Sequence, residues 1–122
     1  MSRVRNILLV DDDADLRLAL KLALEAAGYS VAVAASAEEA LTAQRRRPAD
    51  VLVTDIFMPD GDGFEVIERF QREFPRTRIV VVSGGGKRAK QDYLAVAQLM
   101  KVDATLQKPF EVEALLETLR SL

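Results

Sequence analysis

Cysteine and histidine are both absent from the 122 residues. Without cysteine there are no disulfides and no thiolate metal sites. Without histidine there is no Ser-His or Cys-His nucleophile pair, no imidazole metal ligand and no imidazole acid–base catalysis. Long apolar runs are missing too. No segment approaches the length of a membrane span. The opening "MSRVRNILLVDDD" is basic and then apolar, but "ILLV" is far shorter than the apolar stretch of a signal peptide and ends in aspartates. A large excess of one charge is lacking as well. The formal net charge is −2, so no nucleic-acid footprint is expected. Chemistry in this chain falls to carboxylates, hydroxyls, lysines, arginines and the backbone.

What is present is a soluble, globular composition of a length that suits one domain, taken as residues 1–122. Strand-like and helix-like patterns alternate along it. Strands are expected at 6–10, 30–35, 50–55, 78–83 and 104–107. Helices are expected at 14–27, after 36, at 64–74, at 88–100 and from "KPF" to about 119. Leu16, Leu20, Ala23 and Leu24 share one face of the first helix, and Gly28 is placed to end it. "SAEE" at 36–39 is a capping box with Ser36 at the N-cap. "ILLV", "VLV" and "IVVV" are continuous apolar runs, as expected of strands buried on both faces. The expected fold is α/β: a doubly wound, five-stranded parallel sheet with five helices, in the flavodoxin-like strand order 2-1-3-4-5.

In such sheets the functional crevice lies beyond the carboxyl ends of the strands. Those ends offer Asp11, Asp12 and Asp13 after the first strand, Asp55 after the third, Ser83 after the fourth and Lys108 after the fifth. Carboxylates brought together need a cation or a proton. Hard oxygen ligands favour magnesium, or calcium and manganese. Magnesium keeps several waters and leaves room for a phosphate oxygen, which a lysine and a hydroxyl would complement. Asp13 is placed to cap the first helix rather than to bind metal.

The motifs "VDDD", "VLVTDIFMPDGDGFEVI", "VVVSG" and "KPF", in this order and spacing, resemble the receiver domain of bacterial two-component response regulators. The resemblance spans essentially the whole chain. It implies that Asp55 accepts a phosphoryl group from a histidine kinase or phosphotransfer protein. It implies a Mg2+ site at Asp11, Asp12, Asp55 and the carbonyl of Phe57, with Asp12 the more direct ligand of the acidic pair. Ser83 and Lys108 would contact the phosphoryl group, and the bond from Lys108 to Pro109 would be cis. Beyond assisting its own phosphorylation and dephosphorylation, such a domain is not an enzyme. The implied protein is a cytoplasmic, stand-alone switch, a monomer or weak homodimer, that touches neither nucleic acid nor membrane and signals to a downstream protein through residues 84–122.

The alternative is a receiver-like scaffold that does not use phosphorylation. A phosphatase of the haloacid-dehalogenase type would need an acid at position 57, which is phenylalanine. Three departures from the family pattern bear on the switch. Thr105 stands where the family usually has an aromatic residue. "SGGGKRAKQDY" at 83–93 places three glycines and the cations Lys87, Arg88 and Lys90 before Tyr93. The helical pattern that follows is a few residues longer than usual.

Overall fold

A computed structural model of the chain describes residues 4–56, 58, 62–84 and 100–122. Its elements run β1(Asn6–Val10), α1(Ala14–Ala26), β2(Ser30–Ala34), α2(Ala37–Arg46), β3(Val51–Asp55), α3(Asp62–Glu73), β4(Arg78–Ser83), β5(Ala104–Gln107) and α4(Val112–Ser121). The five strands form one sheet in the order β2-β1-β3-β4-β5, and every pairing is parallel. The expected strand order is therefore observed. Four helices fall within the described residues, and the expected helix at 88–100 lies outside them apart from Met100.

Alternation along the strands divides the core into two layers. Leu8, Val10, Leu52, Ile79 and Val81 face α2 and α3, where they meet Ala40, Leu41, Val66, Ile67 and Phe70. Ile7, Leu9, Val51, Val53, Val80 and Val82 face α1 and α4, where they meet Leu20, Leu24, Leu115 and Leu119. Because helices cover both faces, all five residues of β3 are buried. The uninterrupted apolar sequence of the central strands follows from this two-sided burial.

Local sequence sets the helix ends. The Asp13 side chain accepts from the backbone N–H groups of Asp15 and Leu16, which caps α1 as expected. At the other end Gly28 has φ +102°. Its N–H donates to the Glu25 carbonyl, and that of Tyr29 donates to the Leu24 carbonyl. This is a Schellman turn, in which the left-handed residue is favoured as glycine. Ser36 caps α2 through the Glu39 N–H. Helix α3 begins at Asp62, two residues earlier than its apolar periodicity suggests. Helix α4 begins only at Val112, after the Lys108–Pro109 turn, whose peptide bond is cis.

At the amino ends of the strands a buried polar bridge joins α2 to the sheet. Gln44 is 1% exposed, and its Nε2 donates to Thr77 Oγ1 at 3.0 Å. Thr77 Oγ1 donates to the Ala49 carbonyl, and the Ala49 N–H donates to Gln44 Oε1 at 2.9 Å. The closed ring satisfies both ends of the buried amide, as burial of a polar side chain requires. Among the described residues no helix is long and apolar enough to cross a membrane.

Candidate functional site

The opposite end of the sheet holds the polar residues singled out in the sequence. Parallel strands align their carboxyl termini, so the residues after β1, β3, β4 and β5 meet at one edge although they are far apart in the chain. Asp11 directly follows β1, and its N–H donates to the Ala34 carbonyl at 3.2 Å. Asp55 is the last residue of β3 and Ser83 the last of β4. Asp11 is 3% exposed, Asp55 5% and Ser83 0%. Lys108 follows β5, and its N–H donates to the Ser83 carbonyl at 2.7 Å.

The side chain of Lys108 joins two strands that are separated in sequence. Its Nζ donates to Asp11 Oδ2 at 3.1 Å and to Asp55 Oδ2 at 3.0 Å. Burial pushes the ammonium pKa down. Hydrogen bonds and charge from Asp55, and then from Asp11, outweigh that effect, so the net shift is upward. Lys108 is thus held as a cation at the centre of the acidic end.

Among the described residues the Lys108 ammonium faces more than one carboxylate. Asp11, Asp12 and Asp55 each place a carboxylate oxygen within 4.8 Å of the others. Three hard oxygen donors with no nitrogen or sulfur fit a cation of the magnesium class. The two acids of the pair differ in what remains available. Asp11 Oδ1 accepts from the Asp13 N–H at 2.9 Å while Oδ2 accepts from Lys108. Asp12 is exposed, and no described residue donates to its carboxylate. The more open carboxylate of the pair is therefore that of Asp12. The carbonyl of Phe57, the remaining expected ligand, lies outside the described residues.

Ser83 adds an unusual feature. Its Oγ is buried and has no hydrogen-bond partner, the one such side-chain atom found among the described residues. A buried hydroxyl without a partner is costly, on the order of 1–3 kcal/mol. It stands at the end of β4, next to the strand that ends in Asp55. An oxygen-bearing ligand on Asp55 is the kind of group that would satisfy it.

Two contributors escaped the sequence analysis. Arg17, on α1, donates from Nη1 to the Asp11 carbonyl at 2.7 Å. Gly63, in the first turn of α3, packs against the backbone that follows Asp55. A Cβ there would come within 2.7 Å of the Asp55 carbonyl oxygen and closer still to that of Ile56. That close approach is a tertiary fact, and no local pattern marks it. Nothing in the sequence marked Arg17. Thr105 lies on β5 opposite Val81 and is half-buried. Gly84 is half-buried too, whereas Gly85, Gly86, Lys87, Arg88, Lys90 and Tyr93 lie outside the described residues.

Known proteins resemble this chain in sequence and fold. The family model described as the response regulator receiver domain matches residues 7–120. The C4-dicarboxylate transport transcriptional regulatory protein DctD of Pseudomonas aeruginosa is 35% identical over 116 residues, covering 93% of this chain and 24% of that protein. The chain thus spans about a quarter of the length of DctD. The chemotaxis protein CheY of Thermotoga maritima is 31% identical over 121 residues, 97% of each chain. The structure of the Vibrio cholerae chemotaxis protein CheY4 superposes with a TM-score of 0.82 at 31% identity, covering 97% of this chain and 98% of that one. The chain belongs to the response regulator receiver domain family of two-component signalling.

Proposed function

We propose that Asp55 is the phosphoryl acceptor of this domain, with a phosphorylated histidine of a kinase or phosphotransfer protein as donor. The observation that carries this reading is the pairing of Lys108 with both Asp11 and Asp55, beside the unpartnered hydroxyl of Ser83. A carboxylate oxygen of Asp55 attacks phosphorus, the phosphorus–nitrogen bond to histidine breaks, and an acyl phosphate forms. Transfer of this kind depends on in-line placement and on neutralising charge at the phosphoryl oxygens.

Each residue has a part in that task. Asp11 and Asp12, with Asp55 and the Phe57 carbonyl, would hold Mg2+. The ion, when bound, draws negative charge from the phosphoryl oxygens. Lys108 exchanges its bond to the Asp55 carboxylate for one to a phosphoryl oxygen. Ser83 Oγ donates to another and so acquires the partner it lacks. The domain does no further chemistry beyond assisting its own phosphorylation and dephosphorylation. Its output is a protein contact made through residues 84–122 in the cytoplasm, as a monomer or weak homodimer.

Intact-mass spectrometry after incubation with acetyl phosphate tests this reading. The wild type with Mg2+ should gain one phosphoryl group, and Asp55→Asn or excess chelator should abolish the gain. Equal labelling of Asp55→Asn would sink the assignment. A protein that never labels would favour the scaffold reading.

A further inference from the structure

We infer that Arg17 is a positioning residue of the acidic pocket: its guanidinium holds the Asp11–Asp12 peptide so that the Asp12 carboxylate is presented to a divalent cation. The inference rests on the metal-binding role proposed above for Asp11 and Asp12.

Every polar group of Asp11 is engaged. Its N–H donates to the Ala34 carbonyl, its Oδ1 accepts from Asp13 and its Oδ2 accepts from Lys108. Its carbonyl accepts from Arg17 Nη1 at 2.7 Å, a short, charge-assisted bond. That carbonyl belongs to the peptide whose nitrogen is Asp12. A peptide unit is planar, so setting the direction of the oxygen sets the path of the chain into the Asp12 Cα. Among the described residues no hydrogen bond holds the Asp12 side chain, so the backbone path sets the position of its Cβ and with it the range the carboxylate can reach.

Other roles for Arg17 fit less well. It makes no ion pair with a carboxylate among the described residues. It does not serve the helix dipole, because a cation near the start of a helix is disfavoured there. The helix instead gives it a rigid base. The Arg17 N–H donates to the Asp13 carbonyl at 2.9 Å, and Asp13 caps the same turn. The half-buried side chain then reaches back from α1 across the loop to Asp11, with a span of six residues.

The rival to positioning is charge screening, in which Arg17 merely offsets the repulsion of the acids. The two make opposite predictions for the metal. Loss of a screening cation strengthens divalent binding, because less positive charge competes. Loss of a positioning bond weakens it.

Arg17→Gln and Arg17→Lys in the full chain separate them. Magnesium affinity is read from the amide shifts of Asp12 and Asp13 in a Mg2+ titration by NMR. The exchange rate of the Asp13 amide is read in the metal-free protein, and the thermal midpoint reports on folding. Arg17→Gln should weaken Mg2+ binding about tenfold, the low end for losing a group that holds a metal ligand in place. It should also speed exchange of the Asp13 amide. Arg17→Lys, which retains a cation with a shorter reach, should fall between Gln and wild type and keeps the comparison available if Gln disturbs the fold. Unchanged or tighter Mg2+ binding in Arg17→Gln overturns the proposal. The titration does not depend on phosphorylation. A wild type that binds Mg2+ but does not label with acetyl phosphate would therefore refute the acceptor role of Asp55 and leave the Arg17 result standing.

Discussion

Gly63, in the first turn of α3, lies so close to the Ile56 carbonyl just past β3 that no side chain fits between them. The same contact extends to the carbonyl of Asp55. A Cβ at position 63 must push the helix away or displace the backbone of the proposed acceptor. Gly63→Ala should cost about 2–3 kcal/mol in urea unfolding, at the upper end for overpacking because the obstructing atoms are backbone. It should also slow labelling by acetyl phosphate. A variant of wild-type stability would show that the two elements can separate freely.

Adjacent acids should have separable effects. Asp13 caps α1, so Asp13→Ala should lower stability by about 1 kcal/mol. Its magnesium affinity should stay near wild type. Asp12→Ala removes an exposed charge from a crowded acidic cluster, so stability in chelator should hold or rise. Magnesium binding should be nearly lost. Calorimetric titration and chemical unfolding of both variants check the pair, and the reverse pattern would exchange the two assignments.

Lys108 makes a prediction in alkali. Its pKa lies above the ordinary 10.5 because pairing with Asp55 and Asp11 outweighs burial. A proton held more tightly by the folded state stabilises it below the unfolded pKa, and the gain is lost as pH rises through the folded value. In chelator at neutral pH, Lys108→Met should therefore be less stable than wild type by about 1–3 kcal/mol, the scale of a charged hydrogen bond. The gap should narrow as pH climbs beyond 10.5. Urea midpoints across this range measure it. A gap that stays constant would mean that Lys108 stabilises by packing alone.

Gln44 offers a control remote from the pocket. Gln44→Leu leaves the Ala49 N–H without its acceptor and removes the donor to Thr77. A loss of about 1–3 kcal/mol is expected for breaking a buried polar bridge. Labelling with acetyl phosphate should keep its wild-type rate, since the bridge lies at the other end of the sheet. A large fall in labelling would show that stress crosses the sheet.

The strands were legible because β1, β3 and β4 are buried on both faces and so read as unbroken apolar runs. The capping roles of Asp13 and Ser36 were legible because a cap is a short-range bond whose donors lie within three residues. The convergence of Asp11, Asp55, Ser83 and Lys108 followed from parallel topology. The start of α3 was harder to see, because Gly63 owes its place to Ile56 and not to periodicity. Arg17 was invisible, because its partner is a backbone carbonyl and every residue has one. Helix α4 begins at Val112, after Lys108 has turned its side chain to Asp11 and Asp55.

The bond from Lys108 to Asp11 joins residues 97 apart, and that to Asp55 joins residues 53 apart. Synthesis on the ribosome proceeds from the amino end, so the acids emerge well before the cation that binds them. A nascent chain that has reached β4 already possesses the strands that gather Asp11, Asp12 and Asp55, but not their ammonium. During that interval the pocket lacks the ammonium that pairs with Asp11 and Asp55. Arrested chains ending before Lys108 should therefore hold the three carboxylates together less firmly than the full chain does.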